Sequence, residues 1–208
     1  GCGSLVVEFK DLSLGSPTSW LWDFGNGNTS TLENPIAIYS TPGVYDVVLK
    51  VSNVFANDTI AAVSLVKVYE DPIASLQVNS IVTGCMPLTI SFEDFSNTNT
   101  SIASWQWNFG DGGSSNIQNP DYTYLTDGMY SVSLSIVDIN GCQNLATEID
   151  LVEVNIVPIA DFSADITFSC NSSELVSFSN NSVNSSSFIW DFGNGTTSNL
   201  LNPSHTFA

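Results

Sequence analysis

One short string occurs three times in this chain and constrains its fold more than any other feature. It places two aromatic side chains, two residues apart, directly before a glycine-rich turn, and its copies lie at 22–27, 107–112 and 190–195. Consecutive copies begin 85 and 83 residues apart. Self-similarity at such a period indicates an array of small domains of one kind. The chain is therefore expected to fold as tandem repeats.

Further matches follow each copy of the string at similar offsets. An Asn-Pro pair and an aromatic residue come first, as in Asn34-Pro35 and Tyr39. In the first two copies, a Gly-x-Tyr triplet then opens a run of alternating apolar and polar residues, at 43–51 and 128–136. Alternation with a period of two places the apolar side chains on one face of a strand. Each repeat is thus predicted to contain β-strands with one buried and one wet face.

The composition also favours an all-β fold. Apolar residues make up 43% of the chain and aromatic residues 11%, which is enough for packed cores. Val, Ile, Thr, Phe, Tyr and Trp alternate with Ser, Asn and Asp, as is typical of half-buried strands. We expect two-layered β domains arranged end to end.

A second matched string marks the domain boundaries. Pro-Ile-Ala recurs at 72–74 and 158–160, each time just after a strand-like run. The predicted domains are 1–71, 72–157 and 158–208. Aligned with the complete middle domain, the first lacks its opening strand and the third ends before its last strands. Because no Gly/Ser-rich spacer separates the domains, the joints are expected to be stiff.

The aromatic residues of the repeated string have two interpretations. Exposed tryptophans would form a stacking platform for sugars, whereas buried ones would fill a core between two sheets. We favour the core, because each tryptophan lies in the middle of an alternating strand. The tyrosines that open the alternating runs are assigned a structural role in the same way. The predicted core residues are Trp22, Phe24, Tyr45, Trp107, Phe109, Tyr130, Trp190 and Phe192.

The charge of the chain excludes several classes of function. Twenty-one acidic side chains are set against three lysines and no arginine, which gives a formal net charge of −18. Nucleic acids and anionic membrane surfaces would repel such a chain. No apolar run is long enough to cross a bilayer, so no membrane insertion is expected in this segment. A single histidine, His205, and four scattered cysteines argue against a zinc site or a catalytic triad, so we expect no enzyme activity and no cofactor other than the calcium considered below.

The cysteines point to an oxidising location. Cys85 and Cys142 lie in the same predicted domain, 57 residues apart, and we predict a disulfide between them. Cys170 is placed like Cys85, so its partner is expected beyond residue 208. Cys2 is also placed like Cys85, but the first domain has Asn57 near the position of Cys142, which leaves Cys2 without a predicted partner.

The carboxylates near domain joints and strand ends also have two interpretations. Most acidic residues are expected to form a solvated surface, and no Asp-x-Asp-x-Asp-Gly calcium loop occurs. Carboxylates at the joints could still bind Ca²⁺ together with backbone carbonyls and stiffen a junction. The calcium candidates are Glu70, Asp71, Glu93, Asp94 and Asp161.

One short motif suggests surface modification. Asp58-Thr59-Ile60 resembles the brief O-glycosylation signal of some Gram-negative surface proteins, with Thr59 as the acceptor. Asn-x-Ser/Thr triplets are frequent as well, but a chain so rich in Asn, Ser and Thr produces them by chance.

Taken together, these motifs resemble the PKD domain, an Ig-like sandwich named from polycystic kidney disease protein. The resemblance rests on the tryptophan string, the Asn-Pro pair with its aromatic residue, and the Gly-x-Tyr run, and it covers nearly the whole chain. Asn26, Asn108 and Asn194 stand where the family usually has Asp, which argues against a metal role but not against the fold. The resemblance implies tandem Ig-like β-sandwich domains arranged end to end, which form an extracellular module without catalytic residues.

The resemblance leaves two functions open. The first is a non-catalytic stalk or spacer in a large repetitive adhesin or filament on the bacterial cell surface, similar to those of gliding bacteria that use type IX secretion. Its partners would be the neighbouring domains of the same long chain, and other surface proteins or polysaccharide. The second is an accessory module that binds polysaccharide or protein for a secreted hydrolase. High negative charge would keep a stalk soluble and prevent lateral collapse.

Overall fold

A computed structural model of the chain describes residues 1–166 and 173–207. Across these residues every regular element is a β-strand, which confirms the predicted all-β class. The described part of the chain accordingly offers no apolar helix of membrane-spanning length. The first, second and third repeats are residues 1–71, 72–157 and 158–208. These boundaries stay a prediction.

The strands follow one another in the same pattern in each repeat. Those of the first repeat are β1 (Leu5–Glu8), β2 (Ser19–Asp23), β3 (Thr29–Ser30), β4 (Ile36–Tyr39), β5 (Gly43–Ser52) and β6 (Asn57–Val68). Those of the second are β7 (Leu76–Val78), β8 (Thr83–Cys85), β9 (Leu88–Asp94), β10 (Ile102–Asn108), β11 (Ser114–Ser115), β12 (Asp121–Tyr124), β13 (Gly128–Asp138) and β14 (Gln143–Asn155). Those of the third are β15 (Phe162–Ala164), β16 (Glu174–Asn180), β17 (Trp190–Asp191), β18 (Thr197–Ser198) and β19 (Ser204–Phe207).

The strands form sheets whose order repeats along the chain. In the first repeat the order is β3-β2-β5-β6, opposed by the pair β1-β4. In the second it is β11-β10-β13-β14-β8, with β12-β9-β7 as the other sheet. The third has β15-β16-β19 and the pair β17-β18. The strand that carries the tryptophan string thus pairs with the Gly-x-Tyr strand in both repeats that contain the two, as in Trp22 opposite Leu49 and Trp107 opposite Leu134.

The chain divides into two compact units. Unit 1 comprises Gly1–Ile81, Ile90–Tyr122 and Tyr130–Leu151, and unit 2 comprises Val82–Thr89, Thr123–Met129 and Val152–Ala208. In unit 1, alternate residues of the paired strands are buried, since side chains on a strand point to opposite faces. Its first-repeat core consists of Trp22, Phe24, Ala37, Tyr39, Val47, Leu49, Val66 and Val68. Its second-repeat core includes Ile90, Phe92, Trp107, Phe109, Tyr130, Val132, Leu134 and Ile136.

Unit 2 has a smaller core in the third repeat. Val176 is buried there. The same repeat contains an aromatic group in which Phe178 lies 5.6 Å from Trp190 and 5.5 Å from Phe192 between ring centroids. Trp190 and Phe192 are half-buried. Trp190 lines an open groove of about 540 Å³ together with Phe162 and Phe178.

Candidate functional site

The repeated tryptophan string builds the core in the first two repeats. Trp107 and Phe109 are fully buried, and their rings stack with centroids 6.4 Å apart. The buried indole N–H of Trp107 donates to the carbonyl of Gln118 at 3.2 Å, which satisfies the polar atom of the ring. Trp22 makes the equivalent bond to Leu32 at 3.0 Å. These indoles are committed to packing and present no stacking surface for a sugar.

The glycine-rich turn after the string is fixed by its own side chains. The backbone N–H of Gly110 donates to Asn108 Oδ1 at 2.9 Å, and that of Gly113 donates to Asp111 Oδ1 at 2.9 Å. Gly110 has φ of +88°, and a Cβ there would lie 2.5 Å from the backbone oxygen of Ser131. The glycine is therefore required both by the left-handed backbone and by the close approach of the next strand. The side-chain oxygens bind backbone amides and are not arranged as metal ligands.

The tyrosines that open the Gly-x-Tyr strands are structural as well. Tyr45 is half-buried, and its hydroxyl donates to the carbonyl of Thr41 at 2.6 Å. Tyr130 is 9% exposed within the second-repeat core. In the first repeat, Tyr45 also packs against Tyr39 with ring centroids 4.8 Å apart.

The cysteine pairing differs from the prediction. The structure joins Cys2 to Cys142, with the two Cα atoms 5.4 Å apart, and leaves Cys85 as an exposed free thiol. The predicted Cys85–Cys142 disulfide is therefore wrong, although the prediction of a disulfide at Cys142 is correct. Cys170 lies outside the described residues.

The strand register explains why the prediction failed. Cys85 pairs with Asn155, the last residue of β14, whereas Cys142 immediately precedes the first residue of β14. The two thiols of the second repeat thus sit at opposite ends of one strand. Cys2 lies in the same position of the first repeat, opposite Tyr69 in a parallel bridge, and from there it meets Cys142 of the second repeat. The sequence predicts that Cys2 and Cys85 occupy equivalent positions, but it assigns Cys142 to Cys85 of the same repeat and leaves Cys2 without a partner, whereas the structure pairs Cys142 with Cys2.

Asp138 shapes the turn that presents Cys142. Its Oδ1 accepts the backbone N–H groups of Cys142 at 2.8 Å and of Asn140 at 2.9 Å, and its Oδ2 accepts the Thr100 hydroxyl at 3.0 Å. Burial acts to raise the pKa of this carboxyl, but the accepted hydrogen bonds outweigh it and lower the pKa below the usual 3.8. Asn53 serves the same purpose in the first repeat, where its side chain accepts the N–H groups of Phe55 and Ala56. Sequence reasoning missed Asp138, although its place at the end of the Gly-x-Tyr strand is a usable signal.

The calcium candidates are not brought together. Asp94 accepts the indole N–H of Trp105 at 2.7 Å and the backbone N–H of Ser96 at 3.0 Å, and although burial acts to raise the pKa of Asp94, these bonds lower it. Glu70 accepts the side-chain N–H of Asn99. Within residues 1–166 and 173–207, the one close group of three or more potential ligand residues is Cys2, Asp71 and Cys142, whose ligand atoms lie within 4.8 Å of one another. Glu93 and Asp161 belong to no such group there.

That group is unsuited to calcium. Both of its sulfurs are bonded to each other, and Ca²⁺ takes oxygen ligands, of which only the carboxylate of Asp71 remains. What the arrangement does provide is a negative charge beside the disulfide.

Thr59 lies on the surface as an acceptor of modification would have to. It is exposed in β6, and its backbone N–H is held by Asp58 Oδ1 at 2.8 Å. Its O-glycosylation stays a prediction.

Comparison with known proteins identifies the repeats. A family model described as PKD domain matches residues 4–67 and 69–154, more than two thirds of the chain. A microbial collagenase of Vibrio alginolyticus is 42% identical over 60 residues, which are 29% of this chain and 7% of the collagenase, so the chain spans a small part of that relative.

Part of the chain is also similar to two solved structures. The PKD1 domain of Vibrio anguillarum Epp is 29% identical, with a TM-score of 0.36 over 41% of this chain and 98% of that domain. The PKD1 domain from the Vibrio cholerae metalloprotease PrtV is 25% identical, with a TM-score of 0.35 over 40% of this chain and 98% of that domain.

Proposed function

The chain belongs to the PKD domain family, and from that premise we propose that it is a non-catalytic, extracellular spacer segment of a larger bacterial protein. One observation carries the proposal: the side chains of the repeated motif pack in the core or bond to the backbone, and so stabilise the fold. Trp107 and Phe109 are buried, and the turn side chains of Asn108 and Asp111 are bonded to backbone amides. A repeated motif of this kind makes each domain a building unit.

The disulfide supports an extracellular location. Disulfides form and persist in oxidising compartments and are rare in the cytoplasm. Cys142 is 1% exposed, so the cross-link belongs to the folded structure and is not a surface oxidation product.

The finer form of the proposal is a stalk in a large surface adhesin of the kind made by gliding bacteria with type IX secretion. It is supported by the tandem arrangement and by the net charge of −18, which would keep neighbouring stalks apart. Its expected partners are further domains of the same chain.

The test is the location and size of the native protein. Antibodies raised against residues 1–208 should label intact, unpermeabilised cells, and the extracted protein should have a mass that corresponds to many such domains. Label that appears only after permeabilisation would contradict the extracellular location. A native protein that consists of a catalytic domain with two or three PKD domains would contradict the stalk.

A second candidate function is an accessory binding module of a secreted hydrolase. It is favoured by the collagenase relative and by the groove in unit 2 beside Trp190. In this case a soluble polysaccharide or gelatin should change the tryptophan fluorescence of the purified chain, and Trp190→Ala should abolish both that change and the binding. Absence of binding to the purified chain would favour the spacer.

A further inference from the structure

The Cys2–Cys142 disulfide connects two repeats and not two strands of one repeat. Cys2 lies at the start of the first repeat, and Cys142 lies between β13 and β14 of the second, 140 residues further along the chain. Both residues belong to unit 1. The covalent path from Cys2 to Cys142 through the disulfide therefore bypasses both tryptophan strings of unit 1 and every strand from β1 to β13.

We propose that this disulfide is a mechanical bypass that carries tension past residues 3–141. When the chain is pulled by its ends, force enters at Gly1, reaches Cys2, crosses to Cys142 and leaves through β14. A covalent bond is far stronger than the hydrogen bonds and packing that hold the sheets, so residues 3–141 lie outside the covalent load path and cannot be extended while the bond is intact. Of the strands between the two cysteines, β13 and β8 bear load through their pairing with β14. The first repeat is thus shielded from a force that pulls β14 out of its sheet and unfolds the third repeat. This inference goes beyond the spacer proposal and does not depend on it, because it follows from the cross-link alone.

The surroundings of the disulfide protect it from reduction. Thiol–disulfide exchange requires a thiolate to approach one of the sulfurs. Cys142 is buried, and the carboxylate of Asp71 lies within 4.8 Å of both sulfurs. An incoming thiolate meets a steric barrier at the sulfur of Cys142 and a like charge near both sulfurs, although Cys2 is only half-buried. The bypass should therefore persist in solutions of mild thiols that reduce exposed disulfides.

Force spectroscopy of the whole 208-residue chain, held at its two ends, tests the proposal. An extended chain spans about 3.3–3.6 Å per residue. With the bypass intact, residues 3–141 cannot extend and 69 of the 208 residues remain in the path, which gives a contour length of about 230–250 Å. Cys2→Ser should release the hidden segment and raise the contour length to about 690–750 Å, a threefold increase.

Two controls keep the result interpretable. Cys85→Ser removes the free thiol and should leave the short contour length unchanged. The unsubstituted chain, reduced by an excess of a strong dithiol that supplies two electrons and two protons per disulfide, should extend like Cys2→Ser, which shows the effect without any substitution. Equal contour lengths for the oxidised chain and Cys2→Ser would overturn the proposal, as would a short length that is lost in Cys85→Ser.

Discussion

Replacement of Cys2 by serine should lower the stability of the chain by an amount that the length of the cross-linked loop determines. A disulfide restricts the unfolded chain, and the entropy that it removes grows with the logarithm of the number of residues enclosed. The separation of 140 residues gives about 5 kcal/mol at 25 °C. Cys2 is the better position for the change, because it is only half-buried, whereas a serine at buried Cys142 would also bury a hydroxyl.

The assay is equilibrium unfolding in urea, followed by tryptophan fluorescence. With a urea dependence of about 2 kcal/mol/M, a loss of about 5 kcal/mol should lower the midpoint of Cys2→Ser by about 2.5 M. The chain offers a matched control in Cys85, which occupies the same register position in the second repeat but is free and exposed. Cys85→Ser should unfold at the midpoint of the unsubstituted chain.

The two variants also decide between the two pairings of Cys142. If Cys85→Ser lost stability and Cys2→Ser did not, the bond in solution would join Cys85 to Cys142, and the register argument would be refuted. If neither variant lost stability, the loop-entropy reasoning would fail for this chain.

Three further predictions concern the second repeat. Trp107→Ala should cost about 3–5 kcal/mol in urea unfolding because the indole is fully buried, whereas Gln106→Ala on the exposed face of the same strand should change stability by less than about 0.5 kcal/mol. Gly110→Ala should lower the Tm more than Gly112→Ala, since both glycines have positive φ but only Gly110 lies against a backbone oxygen; equal losses would show that the close approach does not matter. The pKa of Asp138 is lowered on folding, so its contribution to stability is present above the usual 3.8 and is lost as the pH falls through the folded-state pKa; Asp138→Asn should reduce the acid dependence of the Tm, and an unchanged dependence would contradict this.

Much of the fold could be predicted because each local signal is repeated. The alternation at 43–51 and 128–136 has the period of a half-buried strand, and it corresponds to β5 and β13, which are long and well paired. The glycines of the tryptophan string correctly predicted the turns that follow the tryptophan strands. The order of strands within a sheet, by contrast, depends on contacts between residues far apart in sequence, which a periodic pattern does not specify.

The contrast between local signals and long-range contacts also applies to the disulfide that joins the first two repeats. That Cys142 takes part in a disulfide was predicted because a second cysteine, Cys85, lies in the same predicted domain. Its partner was predicted wrongly, because a comparison within one repeat assumes that each domain is cross-linked to itself. The parallel pairing of Cys85 with Asn155 is a tertiary feature that no local signal in the sequence reveals. The hydrogen bonds of Asp138 and Asp94 were missed for the same reason, as carboxylates that serve turns and indoles are indistinguishable in sequence from solvated ones.

A cross-link between repeats has a different physical consequence from one within a repeat. A domain of this size buries a limited apolar core and is marginally stable by itself. An internal disulfide would stabilise one such domain and leave its neighbour unaffected. The Cys2–Cys142 bond instead closes a loop that runs through both the first and the second repeat. The unfolding of either repeat is therefore opposed as long as the other repeat stays folded. In an array whose stability is a sum of single-domain and nearest-neighbour contributions, such a bond adds to the nearest-neighbour part. Two marginal sandwiches thereby become one larger cooperative segment.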